Sequence, residues 1–192
     1  MHRIASFPGN SEEKEVLLPE QLSAPVLFIT SATSDIATIG KLIDQSNNPS
    51  LKDRLRALPL ESLKHPAQID HYLGTTCETA KIVVIRLHGG RGHFSYGIQQ
   101  FTKWQREKPE RTLIILAGVS SDSRELHSIG SIKTELADIL SELFIIGGKE
   151  NLLQFMNVLD RIYRKHKINE QEIIIKPISD PHSWDWRDEK GP

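Results

Sequence analysis

Three short apolar runs constrain the fold more than any other feature of this sequence. Val26-Leu-Phe-Ile29, Ile82-Val-Val-Ile85 and Leu113-Ile-Ile-Leu-Ala117 contain no polar residue, so strands built from them turn apolar side chains to both faces of a sheet. Sheets covered on both faces are typically parallel, because the crossover connections between parallel strands carry helices. The expected strands are Val26 to Thr30, a weaker Leu55 to Leu60 with Pro59 at its end or on a sheet edge, Lys81 to Leu87, and Thr112 to Ala117. Ile4 to Phe7 and Ile173 to Ile175 are shorter candidates.

Helical patterns fall between these runs. Ile36, Ile39 and Ile43 follow the polar turn Ser31 to Asp35 and stop at Asn47-Asn48-Pro49. Pro66 suits a first helical turn ahead of Ile69, Leu73 and a terminating Gly74. Ser95 is placed to cap a helix carrying Ile98, Phe101 and Trp104, which Lys108-Pro109 ends. Asp122 and Glu125 have capping-box spacing for a short helix over Ser123 to Ser128. Ile132, Leu136, Ile139, Leu140 and Leu143 form one apolar face, and Gly147-Gly148 separates it from a second, Leu152, Phe155, Met156, Leu159 and Ile162. The basic cluster Arg161, Arg164, Lys165 and Lys167 suits the negative end of that last helix. The pattern predicts an α/β domain with an open, mostly parallel sheet of flavodoxin or Rossmann type flanked by helices, over residues 1–176. Residues 177–192, polar apart from Trp184 and Trp186, read as a linker or tail toward a following domain.

Composition excludes several functions. The 24 Lys and Arg offset 25 Asp and Glu, so no overall positive field favours nucleic acid. The apolar runs stop far short of the roughly 20 residues that span a bilayer. Cys77 is the only cysteine, which leaves no intrachain disulfide and no multi-thiolate zinc site; a reducing cytoplasm is the expected location. Thr75, Thr76 and Glu78 beside it supply no cation to make a thiolate. Phe155, Met156 and Tyr163 read as core or helix interface rather than a cofactor box.

The segment richest in chemistry is Arg86-Leu-His-Gly-Gly-Arg-Gly-His-Phe-Ser-Tyr-Gly97, between a buried strand and a helix, where ligands of open α/β sheets bind. Arg86 and Arg91 are suited to a carboxylate or phosphate, and Gly89, Gly90 and Gly92 to positive φ and a close backbone approach. With His88 and Tyr96 they make the candidate ligand-binding set. The alternative is a tight strand-to-helix turn with Tyr96 packed beneath it. The run lacks the third glycine of the dinucleotide fingerprint and does not follow the first strand. His88 and His93, five apart, match no zinc signature, so no metal site is expected. Ser120 to Ser123 lacks the Gly-x-Ser-x-Gly elbow of a nucleophile. These residues assign no catalytic group.

Three segments in order carry a family resemblance. Met1-His-Arg-Ile-Ala-Ser-Phe-Pro-Gly9, Ala24-Pro-Val-Leu-Phe-Ile-Thr-Ser-Ala-Thr-Ser-Asp35 and Val84-Ile-Arg-Leu-His-Gly-Gly-Arg-Gly-His-Phe-Ser-Tyr-Gly97 resemble the start, first core strand and glycine-rich strand end of the aerobic cobaltochelatase large subunit, the CobN type. Leu113 to Gly118 and Phe144 to Phe155, with Gly147-Gly-Lys-Glu-Asn151, continue it. Phe94 stands where the family is expected to have Trp, and His88 where it has an apolar residue. The resemblance implies an N-terminal, non-catalytic segment of a much longer subunit that inserts Co²⁺ into the corrin hydrogenobyrinic acid a,c-diamide during cobalamin synthesis. Its implied partners are the remainder of the large subunit, two ATPase subunits that use ATP and Mg²⁺, and a tetrapyrrole. No cofactor is assigned to this segment, which lacks a Gly-x-x-x-x-Gly-Lys-[Ser/Thr] loop. The alternatives are a structural or interaction module that binds no small molecule, and a homologue of the magnesium chelatase large subunit of (bacterio)chlorophyll synthesis.

Overall fold

The computed structural model describes residues 16–45, 53–120 and 123–177. The expected Ile4–Phe7 strand, the Asp122 cap, Trp184 and Trp186 lie outside them. In chain order the elements are β1 (Val26–Thr30), α1 (Thr33–Gln45), β2 (Leu55–Pro59), α2 (Pro66–Gly74), β3 (Ile82–Leu87), α3 (Ser95–Glu107), β4 (Thr112–Ala117), α4 (Ser123–His127), α5 (Thr134–Ile146) and α6 (Lys149–Tyr163). Short 3₁₀ turns at Leu60–Leu63 and Arg91–Phe94 follow β2 and β3.

The four strands form one parallel sheet in the order β2-β1-β3-β4, as the unbroken apolar runs require. Side chains alternate across it. Leu27, Ile29, Val83, Ile85, Leu113 and Ile115 pack beneath α2 and α3 with Tyr72, Phe101 and Trp104. Val26, Phe28, Ile82, Val84, Ile114 and Leu116 pack beneath α1, α5 and α6. On that second face Phe28, Phe144 and Phe155 make a contiguous ring cluster, with Phe144 stacked on Phe28 at 5.4 Å and edge-on to Phe155 at 4.6 Å. Phe155 and Met156 are core residues, as their spacing predicts. Pro59 ends β2, an edge strand, where its missing N–H leaves no ladder bond unmade.

Among the described residues, both sheet edges are met by side chains rather than by further strands. Along β4, Ser131 Oγ accepts from Leu113 N–H at 2.8 Å, His127 Nε2 accepts from Ala117 N–H at 3.0 Å, and Ser141 Oγ donates to the Ala117 carbonyl at 2.9 Å. Because Nε2 is the acceptor, Nδ1 of buried His127 carries the proton and donates to Asp138 at 2.5 Å. On β2, Gln21 Nε2 donates to the Ala57 carbonyl at 2.9 Å. These groups satisfy edge amides that would otherwise template pairing with another chain.

The residues Ile173 to Ile175 do not form a strand. Their backbone is bound by side chains of α6 instead: Gln154 bonds both the N–H and the carbonyl of Ile174, and Asn151 does the same for Lys176. Ile173 and Ile175 turn inward against the second core face while Ile174 points outward. The strand-like alternation is therefore genuine, but its partner is a row of amide side chains on a helix. At the end of α6, Lys165 adopts a left-handed φ of 58°, and Arg161 and Arg164 pair with Glu172 and Asp160.

Replacing His127 by Leu keeps the volume but strands the buried Ala117 N–H. The substitution is expected to cost about 1–3 kcal/mol, read as a lower urea midpoint with unchanged slope; an unaltered midpoint would show that the edge bond contributes nothing.

Candidate functional site

The strand order reverses between β1 and β3, since β1 connects outward to β2 and β3 connects the other way to β4. Open α/β sheets bind ligands at the carboxyl ends of strands beside such a reversal. Here that edge is formed by Thr30 and Ser31 after β1, Arg86 to Gly90 at the end of β3, and Gly118 after β4.

Arg86 is the centre of this edge. Its side chain lies 7 % exposed, with Nη1 donating to Asp35 Oδ2 of α1 at 2.8 Å and Nη2 reaching the Gly118 carbonyl at 3.5 Å. The guanidinium also sits 5.2 Å above the Phe144 ring. Asp35 Oδ2 accepts in addition from Thr30 Oγ1 at 2.6 Å, and that hydroxyl oxygen accepts from Ala32 N–H at 3.0 Å. An arginine at the next-to-last position of a buried apolar strand has to find a counterion, and Asp35 in the first turn of α1 supplies it. Arg86 Nε is buried without a partner among the described residues. Asp35 and Thr30 were not singled out from the sequence; the signal was an arginine inside the buried run Ile85-Arg-Leu87 facing an acid just after β1.

Ser31 ties the two strand ends together. Its N–H donates to the Arg86 carbonyl at 3.1 Å, while its Oγ accepts from His88 N–H at 2.9 Å and lies 2.8 Å from His88 Nδ1. The His88 imidazole is pushed below its ordinary pKa of 6.5, first by partial burial and then by the Arg86 charge, with Asp35 acting weakly the other way. Its ring covers Gly118, where a Cβ would collide with it.

The glycines serve rings of this chain. Gly89 and Gly90 have φ of +93° and +76°, which favour glycine, and a Cβ on Gly89 would come within 2.8 Å of the His93 ring. Phe94, not Tyr96, packs beneath the loop: it is buried against Gly97, which has no side chain to oppose it. Tyr96 stands at the rim, its hydroxyl donating to Asp70 at 2.9 Å; that bond raises its pKa. Ser95 is the first residue of α3 rather than its cap, because the 3₁₀ turn runs into the helix and Ser95 Oγ bonds back to the Arg91 and Gly92 carbonyls.

Sequence proximity therefore does not translate into one cluster. Arg86 faces inward to Asp35, whereas Arg91 is exposed and 3.9 Å from Glu125 of α4. Ser31, His88, Tyr96 and the loop border a cavity of about 450 Å³, floored by Leu60, Leu63, Ile69 and Phe94. Arg91 and Tyr96 border a second, wider groove of about 960 Å³ along α3. Among the described residues, no three His, Cys, Asp or Glu side chains are placed to hold a metal ion. No helix among them is long and apolar enough to cross a membrane. Cys77 is fully buried, and desolvation raises its thiol pKa far above the ordinary value against a smaller opposing effect of Arg111.

No family model matches the chain. It is 26% identical over 162 residues to the aerobic cobaltochelatase subunit CobN of Pseudomonas aeruginosa, covering 83% of this chain and 12% of that protein. It is 23% identical over 158 residues to the CobN subunit of a Sinorhizobium species, covering 82% and 12%. The fold is similar to the catalytic subunit of cobaltochelatase from Mycobacterium tuberculosis, with a TM-score of 0.56, 18% identity, and coverage of 79% of this chain and 11% of that one. The resemblance drawn from the sequence is thus met by relatives of that name, and the chain spans about 12% of their length.

A methyl group at Gly118 tests this geometry. Gly118→Ala is expected to push the His88 ring off the strand edge into solvent, so that its NMR-detected midpoint rises toward 6.5. In the native chain the depressed midpoint means that folding releases the His88 proton. The associated stability is present above pH 6.5 and is lost as pH falls toward the native midpoint. An unchanged titration in the variant contradicts the placement.

Proposed function

We propose that this chain acts as a non-catalytic α/β head domain of a cobaltochelatase large subunit, in a cytoplasmic assembly that inserts Co²⁺ into hydrogenobyrinic acid a,c-diamide during cobalamin synthesis. One observation carries the reading. Two CobN subunits from different bacteria align with more than four-fifths of this chain, yet the alignment occupies only 12% of each. A domain of this size with a complete two-faced core is a self-contained part of such a subunit.

In this reading ATP and Mg²⁺ belong to the ATPase subunits, and Co²⁺ is a substrate handled elsewhere in the large subunit. This domain's partners are the remainder of that subunit and, through it, the ATPase subunits and the tetrapyrrole. The internal pairing of Arg86 favours a contact role over direct capture of the macrocycle, since its charge is already neutralised by Asp35. Were a corrin carboxylate to reach this edge, Arg91 and Tyr96 at the rim, with His88 and the Gly89-Gly90 backbone behind them, would meet it. The competing reading is an interaction module without a small-molecule ligand, and the same Arg86–Asp35 pair supports it. Both relatives are cobaltochelatase subunits, which favours cobalt over magnesium.

Reconstitution of the chelatase with and without this chain tests the proposal. Cobalt insertion is expected only when the chain is present, while the isolated chain hydrolyses no ATP. Full insertion activity without it would overturn the reading. Titration of the isolated chain with hydrogenobyrinic acid a,c-diamide separates the two roles: saturable binding indicates tetrapyrrole enclosure, and its absence alongside retained assembly indicates a contact module.

A further inference from the structure

Four large apolar side chains are left exposed within one short stretch, Val16, Leu17, Leu18 and Leu22, with Leu17 at 81% and Leu22 at 77%. The stretch is not loosely attached. Gln68 Nε2 of α2 donates to the Leu17 carbonyl at 2.8 Å, and Thr76 Oγ1 donates to the Gln21 carbonyl at 3.1 Å. The Gln21 amide is itself held between the β2 edge, at the Ala57 carbonyl, and the hydroxyl of buried Tyr72 at 2.8 Å. Hydrogen bonds from α2, from the turn after it and to the β2 edge thus fix a strip that presents leucines to solvent. Next to it, Pro19 to Ser23 and the end of α2 at His71, Thr75 and Thr76 border a groove of about 480 Å³.

A fixed cluster of exposed leucines is the pattern of an interface centre, apolar at its core with polar groups at the rim. Glu20 is the only charged residue within the strip. We infer that the Leu17–Leu22 strip is the surface through which this domain packs on the remainder of the large-subunit polypeptide, against a complementary apolar and uncharged patch. The inference rests on the function proposed above. The occupant follows from length: the relatives carry most of their polypeptide outside the 12% that this chain matches, and a domain embedded in such a protein must bury part of its surface against it.

The test measures association, by biolayer interferometry, between this full chain and the remaining large-subunit polypeptide of the same organism. The double variant Leu17→Asp/Leu22→Asp is expected to bind about 30-fold or more weakly than the unaltered chain, the loss typical of removing a hot spot, with the same unfolding midpoint. Leu17→Ser/Leu22→Ser gives the same direction if the charges disturb folding. Ile174→Asp, an exposed position elsewhere, is expected to bind normally. Binding by the double variant equal to that of the unaltered chain overturns the inference and leaves the proposed function standing, whereas no association of the unaltered chain overturns both. A dimer of the unaltered chain that the double variant converts to monomer would assign the strip to a second copy. Hydrogen-exchange protection of residues 16–22 that vanishes on removal of residues 1–15 would assign it to those residues. Either result overturns the inference.

Discussion

The buried ion pair between Arg86 and Asp35 is the interaction on which the carboxyl edge of this sheet depends. Side chains this enclosed cannot remain charged without a partner, because the interior returns little of the hydration that each ion gives up. The pair fixes α1 relative to β3, and it fixes Thr30 and Ala32 through the shared oxygen of Asp35. With Phe144 under the guanidinium, the same contact locks α5 onto the end of β3. Four elements meet at one charge. A group so enclosed and already paired serves the scaffold first.

The rest of the edge follows the same logic. His88 bridges from Ser31 across to Gly118, His93 lies on Gly89, and Phe94 lies on Gly97. Each ring needs a position without a side chain beneath it. The glycine-rich run therefore reads physically as a set of seats for rings, which gives the loop its shape and leaves Arg91 and Tyr96 at the rim.

Much of the fold was legible because it depends on pattern. Unbroken apolar runs such as Ile82 to Ile85 specify strands buried on both faces, and stripes such as Leu152, Phe155, Met156 and Leu159 specify helices. What could not be read was partnership across sequence distance. Ile173 to Ile175 has strand alternation, but only three dimensions show that Asn151 and Gln154 take the place of a neighbouring strand. Arg86 has the chemistry of an anion site, but its fate was decided by Asp35, 51 positions earlier. Tyr96 and Phe94 are both aromatic residues of one loop; which of them packs inward was decided by the missing side chain of Gly97. The closed edge of β4 was likewise invisible, since His127, Ser131 and Ser141 look like ordinary polar surface residues until the strand lies beside them.

The most direct measurement is a double-mutant cycle between Arg86→Met and Asp35→Asn, read by urea unfolding of the two single variants and the double. If the pair organises the edge as described, each single substitution costs about 3–5 kcal/mol, because it leaves one charge or its hydrogen-bond partners buried alone. The double variant then loses less than the sum, by a coupling of about 2–3 kcal/mol. Additive single effects, or single variants as stable as the unaltered chain, would show that Arg86 is not committed to Asp35 and is free to meet a ligand.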